Sequence, residues 1–250
     1  MSKWLEGRVI EHRAWTHTLF SLRVELETGA PRLRFEAGQF VRLALDLGGP
    51  RIARPFSFVN PPQDPVLEFY GVIVPEGPLS PPLARLRKGD SLFVADNPSG
   101  FLVLAEVPPA EDLWLVATGT GIAPFLSILR TETPWQRYKR VILVHAVRRA
   151  SELVYPDLIE SVAKMRGEQF VSIKFVSREK APRALEGRIP AALRDGRLEA
   201  KAQPISPERS QFMLCGNPQM LRDVATELAA RGLRKNRRRT PGQITVESFW

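Results

Sequence analysis

At 250 residues the chain has room for one large domain or two moderate ones, with ample core for independent stability. A single cysteine, Cys215, excludes an internal disulfide and any four-thiolate zinc or iron–sulfur site built by this chain alone; the histidines, His12, His17 and His145, form no pairing motif for a metal or a Cys/His nucleophile. A formal net charge of +9 points to acidic partners: nucleic acid, anionic lipid, nucleotide phosphates or an acidic protein.

Met1-Ser2-Lys3-Trp4-Leu5-Glu6-Gly7 has no apolar run after its lysine, and no later stretch approaches the length of a membrane span. A cytoplasmic protein is therefore expected. Across residues 7–95 the apolar positions recur mostly with period two, as in Leu22, Val24 and Leu26, and glycine and proline turns punctuate them. Short strands with frequent turns predict a small antiparallel barrel. Arg54-Pro55-Phe56-Ser57-Phe58-Val59-Asn60-Pro61 alternates an arginine, an aromatic and a hydroxyl toward one face of a strand. Arg54 would suit a phosphate, Phe56 a flat ring and Ser57 a ring nitrogen, which together suit a flavin dinucleotide. Aromatics at strand spacing also fit a barrel core, and both readings stand at this point.

Residues 67–74 predict a strong strand that ends at Pro75-Glu76-Gly77-Pro78-Leu79-Ser80. A short helix is expected next, with Ser80 as N-cap and Pro81 at its first position. Its N-terminus would hold a phosphate, or simply close the barrel. Residues 106–112 read as a linker, and from there the period changes. Apolar runs at 113–117, 141–147, 170–176 and 212–215 alternate with helical patterns around 125–129, 158–165 and 220–228. That alternation predicts a parallel sheet with helices on both faces, whose ligands bind beyond the carboxyl ends of the strands.

The first of those ends carries Thr118-Gly119-Thr120-Gly121-Ile122-Ala123-Pro124, either a tight strand-to-helix turn or a phosphate loop in which glycines admit a ligand close to the backbone. Arg148 and Arg149, then Arg178, then Arg188 follow the later runs, where guanidinium forks would converge on a phosphate monoester or lie solvated at loop ends. No Asp or Glu stands in the usual place for gripping an unmodified ribose diol after the second strand, which favours NADP(H) over NAD(H). In Cys215-Gly216-Asn217-Pro218-Gln219-Met220 the thiol either borders a nicotinamide or is a buried structural cysteine. Arg231-Gly232-Leu233-Arg234-Lys235-Asn236-Arg237-Arg238-Arg239 is a solvated face, a docking site for an acidic protein, or a nucleic-acid contact. The missing aromatic-plus-basic face argues against the last.

Arg54-Pro55-Phe56-Ser57, Gly77-Pro78-Leu79-Ser80, Gly119-Thr120-Gly121-Ile122-Ala123-Pro124 and Cys215-Gly216-Asn217-Pro218-Gln219-Met220, in that order, resemble the motifs of the ferredoxin-NADP reductases, and within them the bacterial ferredoxin or flavodoxin reductases. The resemblance implies an N-terminal antiparallel FAD barrel, residues 1–105, followed by a five-stranded parallel, doubly wound α/β domain for NADP, residues 106–250. On the FAD side it places Arg54, Pro55, Phe56, Ser57, Phe69, Tyr70, Gly77, Leu79, Ser80, Thr120, Phe249 and Trp250. On the NADP side it places Gly119, Gly121, Arg148, Arg149, Arg178, Arg188, Gly216, Asn217 and Pro218. Ser57, Cys215 and Glu247 would act at the reacting rings, with Phe249 stacked on the flavin and Trp250 near the adenine side. Phe56 stands where the family has tyrosine, so stacking would survive without the hydroxyl's hydrogen bond.

The implied activity is hydride transfer from NADPH to FAD N5 and single-electron transfer to an acidic ferredoxin or flavodoxin, by a monomer that binds no metal, nucleic acid or membrane. An alternative acceptor is free flavin, an iron chelate or a quinone.

Overall fold

The computed structural model of the chain describes residues 3–248. Its strands and helices in chain order are β1 (Trp4–Ala14), β2 (Leu19–Leu26), β3 (Phe40–Leu45), β4 (Ile52–Ser57), β5 (Leu67–Val72), α1 (Ser80–Leu83), β6 (Ser91–Ala95), β7 (Asp112–Thr118), α2 (Ala123–Leu129), α3 (Thr133–Arg137), β8 (Arg140–Val147), α4 (Pro156–Arg166), β9 (Phe170–Val176), β10 (Ala184–Glu186), α5 (Ile189–Arg194), β11 (Ser210–Gly216), α6 (Pro218–Ala229) and β12 (Ile244–Ser248).

The first six strands pair antiparallel in the order β4-β3-β6-β1-β2-β5. Beyond the end of β4, Phe58 bridges to Phe69 of β5 and the Val59 N–H donates to the Glu68 carbonyl at 2.8 Å, so the two edge strands meet and the sheet closes toward a barrel. Alternation sends Val9, Leu22, Val24, Leu43, Phe58 and Phe69 into one apolar core. Pro55 is tolerated because β4 is an edge strand, where no ladder partner needs its missing N–H. Ser80 is the first residue of α1 and not its N-cap: its hydroxyl accepts the Val74 N–H at 2.9 Å. The amide left over at the end of the β5 segment claims the oxygen that the helix start was expected to use.

The second sheet is parallel, in the order β10-β9-β8-β7-β11-β12. It has six strands where five were expected, because the three-residue β10 is too short to leave an apolar run in the sequence. Its central strands are apolar on both faces, as a doubly covered parallel sheet requires. On one face Trp114 and Phe212 stack at 5.4 Å among residues of α5 and α6. On the other, α2, α3 and α4 share a core with Leu19, Val59 and Tyr70 from the barrel side, so the two halves meet across an apolar seam. Each fully buried aliphatic or aromatic side chain there contributes about 1.5–3 kcal/mol.

Polar ties reinforce that seam. The Ser127 hydroxyl in α2 donates to the Asn60 carbonyl at 2.7 Å, and Arg130 pairs with Asp64 at 3.6 Å and Glu68 at 3.5 Å. The segment expected as a linker is itself anchored: Val107 is buried, Arg137 donates to its carbonyl at 2.8 Å, and the buried Asp112 pairs with Arg209 at 2.8 Å. Among the described residues no helix is long and apolar enough to cross a membrane.

A candidate nucleotide site at the seam

Strand β4 delivers Arg54, Pro55, Phe56 and Ser57 to one wall of a cavity of about 410 Å³. Tyr70 and Val72 of β5, with Val74 beyond it, form a second wall, since residues two apart on a strand share a face. The turn holding Gly77, Leu79 and Ser80 closes one end, and Thr120 with Ala123 enters from the parallel sheet. Most of the residues expected on the FAD side are therefore brought together. Phe69 is the exception. It points the opposite way from Tyr70 into the barrel core, 5.5 Å from the ring of Phe58. Phe249 and Trp250 lie outside the described residues.

Two oxygens in this wall are unspent. The Ser57 Oγ and the Tyr70 hydroxyl are buried and have no hydrogen-bond partner among the described residues. A buried hydroxyl without a partner costs about 1–3 kcal/mol, and these two differ from core hydroxyls in lining the cavity, where a ligand's polar atoms would relieve that cost. A flat heteroaromatic ring system with nitrogen and oxygen atoms at its edge, as in a flavin, fits an apolar slot with two free hydroxyls. The Arg54 side chain is exposed at the rim and donates to its neighbour's carbonyl, Ala53 O, at 2.8 Å, which leaves most of its fork for an anion. Burial pushes the Tyr70 phenol upward, so it remains a neutral donor.

The seam loop follows β7 directly. Gly121 touches the neighbouring loop so closely that a Cβ there would sit 2.4 Å from the Cys215 carbonyl oxygen. Gly216, at φ +134, meets Thr118 in the same way, and the Asn217 N–H donates to Thr118 Oγ1 at 2.9 Å. Asn217 also caps α6, its Oδ1 accepting the N–H groups of Gln219 at 2.9 Å and Met220 at 3.3 Å, while Pro218 opens the helix. The expected Gly119, Gly121, Gly216, Asn217 and Pro218 thus form two interlocked loops at one sheet edge.

The arginines are sorted by the strand ladder. Val147 and Val176 are register partners, and the Arg178 N–H donates to the Arg148 carbonyl at 2.9 Å, which puts these two residues side by side. The Gly187 N–H reaches the Val176 carbonyl at 3.2 Å, so Arg188 follows on the adjoining edge. All three are exposed and have no ion-pair partner among the described residues. Arg149 differs, because Glu179 holds it at 3.5 Å. The same carboxylate accepts the Ala150 N–H at 2.7 Å.

Cys215 is fully buried at the end of β11, and burial pushes its thiol well above the usual range. Its register partner in β12 is Glu247. Glu247 Oε1 accepts the Phe101 N–H at 3.3 Å, Oε2 is buried without a partner among the described residues, and desolvation raises the carboxyl to about 7. One residue went unassigned at the sequence level. His145 of β8 is buried, with Nε2 3.1 Å from the Gly119 carbonyl. Its partner lies 26 residues away, and no local motif announces the pair.

Residues 115–226 match the family model of an oxidoreductase NAD-binding domain. Over its whole length the chain is 46% identical to a flavodoxin/ferredoxin–NADP reductase of Shigella flexneri, covering 100% of both chains. It is 37% identical to a ferredoxin–NADP reductase of Pseudomonas aeruginosa, covering 99% of this chain and 98% of that one. Among solved structures, a ferredoxin NADP+ reductase from Neisseria gonorrhoeae with bound FAD and NADP superposes with a TM-score of 0.93 at 32% identity, covering 100% of both chains.

Proposed function

The chain belongs to the flavodoxin/ferredoxin–NADP reductase family, and from that membership we infer that the seam cavity takes FAD and the adjoining sheet edge takes NADP(H). It is a flavoprotein oxidoreductase that carries electrons between NADP(H) and ferredoxin or flavodoxin. The observation that carries the reading is the pair of unpartnered hydroxyls, Ser57 and Tyr70, in a slot walled by both halves of the molecule. When bound, FAD supplies the exchange between two-electron and one-electron chemistry.

The protein supplies orientation and charge. Ser57 donates to the ring edge, Phe56 covers a ring face, and Arg54 with the Gly77–Ser80 turn neutralises the diphosphate. Thr120 reaches the slot from the parallel sheet and ties the two nucleotide sites together. Arg148, Arg178 and Arg188 grip the phosphate that distinguishes NADP(H) from NAD(H), since their exposed forks adjoin one another and have no ion-pair partner among the described residues. Cys215 forms an apolar floor under the reacting ring, and Glu247 holds or releases a proton beside it at neutral pH. In this account residues 1–105 are the FAD half and residues 106–250 the NADP half.

The carrier that docks is acidic. Arg234, Lys235, Arg237 and Arg239 are exposed on a short hairpin, and the net charge of +9 would draw an acidic protein toward the molecule. Arg231 is not part of that face, since it is spent on Glu199 and the Leu193 carbonyl. A cytoplasmic setting is in keeping with a lone, buried thiol, and in this reading the enzyme acts as a monomer. Anaerobic addition of NADPH to FAD-loaded protein tests the reading. Bleaching of the flavin absorbance is expected; a protein that cannot be loaded with FAD would overturn it.

A further inference from the structure

We propose that His145 is a positioning residue for the nicotinamide nucleotide: its imidazole, from inside the sheet, holds the Gly119 carbonyl and so fixes the loop that presents Thr120 and Gly121. This rests on the reading of that edge as the NADP(H) site. The ring lies near the carboxyl end of a central strand, after the apolar run 141–144, 3% exposed, with Nε2 3.1 Å from the Gly119 oxygen. A carbonyl only accepts, so Nε2 carries the proton and donates, and the ring is the neutral Nε2–H tautomer. Burial agrees with this, since it lowers the ring to about 4; the Gly119 bond opposes that lowering and the Lys174 charge adds to it, both more weakly.

The reason the loop needs such a hold is visible in the ladder. Pairing between β7 and β8 ends at Thr118 with Ala146, so Gly119 is the first residue whose carbonyl no longer belongs to the sheet. On its other side the loop is fixed by Gly121 against the Cys215 carbonyl and by Thr118 Oγ1, which accepts the Asn217 N–H. His145 supplies the remaining hold from below. Through it β8 both carries the residue that sets the loop and leads directly into Arg148, three residues later.

The loop serves any nicotinamide dinucleotide, whereas Arg148 and Arg178 act on the extra phosphate alone. Loss of the His145 bond therefore weakens NADPH and NADH alike. The test uses FAD-loaded full chain with ferricyanide as one-electron acceptor. His145→Met keeps most of the volume and removes the donor; His145→Gln brings an amide N–H to where Nε2 stood. Losing one such hydrogen bond in His145→Met raises KM for both nucleotides about tenfold, with kcat changed less and the NADPH preference kept. His145→Gln restores KM to within about threefold of the parent. A His145→Met enzyme with parental KM, a change confined to NADPH, or a Gln variant no better than Met would overturn the proposal. Nitrogen NMR of the parent imidazole needs no variant: Nε2–H is expected, and a proton on Nδ1 would overturn it. Failure of the functional reading would look different, since the parent itself would then not oxidise NADPH.

Discussion

Glu247 Oε1 accepts the Phe101 N–H at 3.3 Å, tying β12 to the segment that leaves the barrel, while its Oε2 stays buried without a partner among the described residues. A carboxyl in that position is held at about 7 by desolvation, against an ordinary value of 4.5. The folded value lies above the unfolded one, so the fold favours the protonated form. Its contribution to stability is full below about 4.5 and is lost as pH rises through about 7. If the protonated carboxyl is the working form, NADPH-driven turnover falls as pH rises through about 7. Glu247→Gln flattens that limb of the kcat profile; an unchanged limb would assign it to another group.

Ser57→Ala separates fold from chemistry. The hydroxyl it removes is buried with no partner among the described residues, so in ligand-free protein the melting temperature holds or rises. With FAD bound, the same change removes a donor at the ring edge and slows hydride transfer about tenfold, read by stopped-flow bleaching. A melting temperature that falls sharply would mean that the hydroxyl is already satisfied in the protein.

Arg148→Ala and Arg178→Ala each raise KM for NADPH by about 10- to 100-fold, the range for one charge-assisted hydrogen bond. KM for NADH is left nearly unchanged. Arg149→Ala has the smaller effect, because Glu179 already engages that guanidinium at 3.5 Å. Equal losses for the two nucleotides in Arg148→Ala would remove the phosphate assignment.

Gly121→Ala drives a Cβ to 2.4 Å from the Cys215 carbonyl oxygen and 2.8 Å from the Gly216 nitrogen. Both neighbours are backbone, so the two loops must separate. Overpacking of this kind costs about 1–3 kcal/mol, measurable by urea unfolding. Unchanged stability would show that the loops are not locked together.

What the sequence made legible were contiguous stretches. Arg54-Pro55-Phe56-Ser57 and the loop from Gly119 to Pro124 each carry their geometry within a few residues, and Thr120 and Ala123 of that loop line one cavity with Arg54 to Ser57. Phe69 and Tyr70 were expected together on the flavin side, yet neighbours in a strand face opposite ways, so period two itself separates them. Ser80 read as a cap because the Ser-Pro-Pro signal is local; the competing claim of the Val74 amide comes from six residues earlier across a turn. The three residues of β10 are too few to show a period, and the His145–Gly119 pair exists only once β7 and β8 lie side by side.

The most direct measurement of the central claim is the rate of NADPH-driven reduction of an acidic ferredoxin by the FAD-loaded protein, followed anaerobically across a salt series. With a net charge of +9 and an exposed basic hairpin, the rate constant for the encounter is expected to be high at low salt and to fall steeply as ionic strength rises. No reduction of ferredoxin or flavodoxin under conditions where NADPH bleaches the flavin would contradict the account, and a rate indifferent to salt would contradict docking through the hairpin.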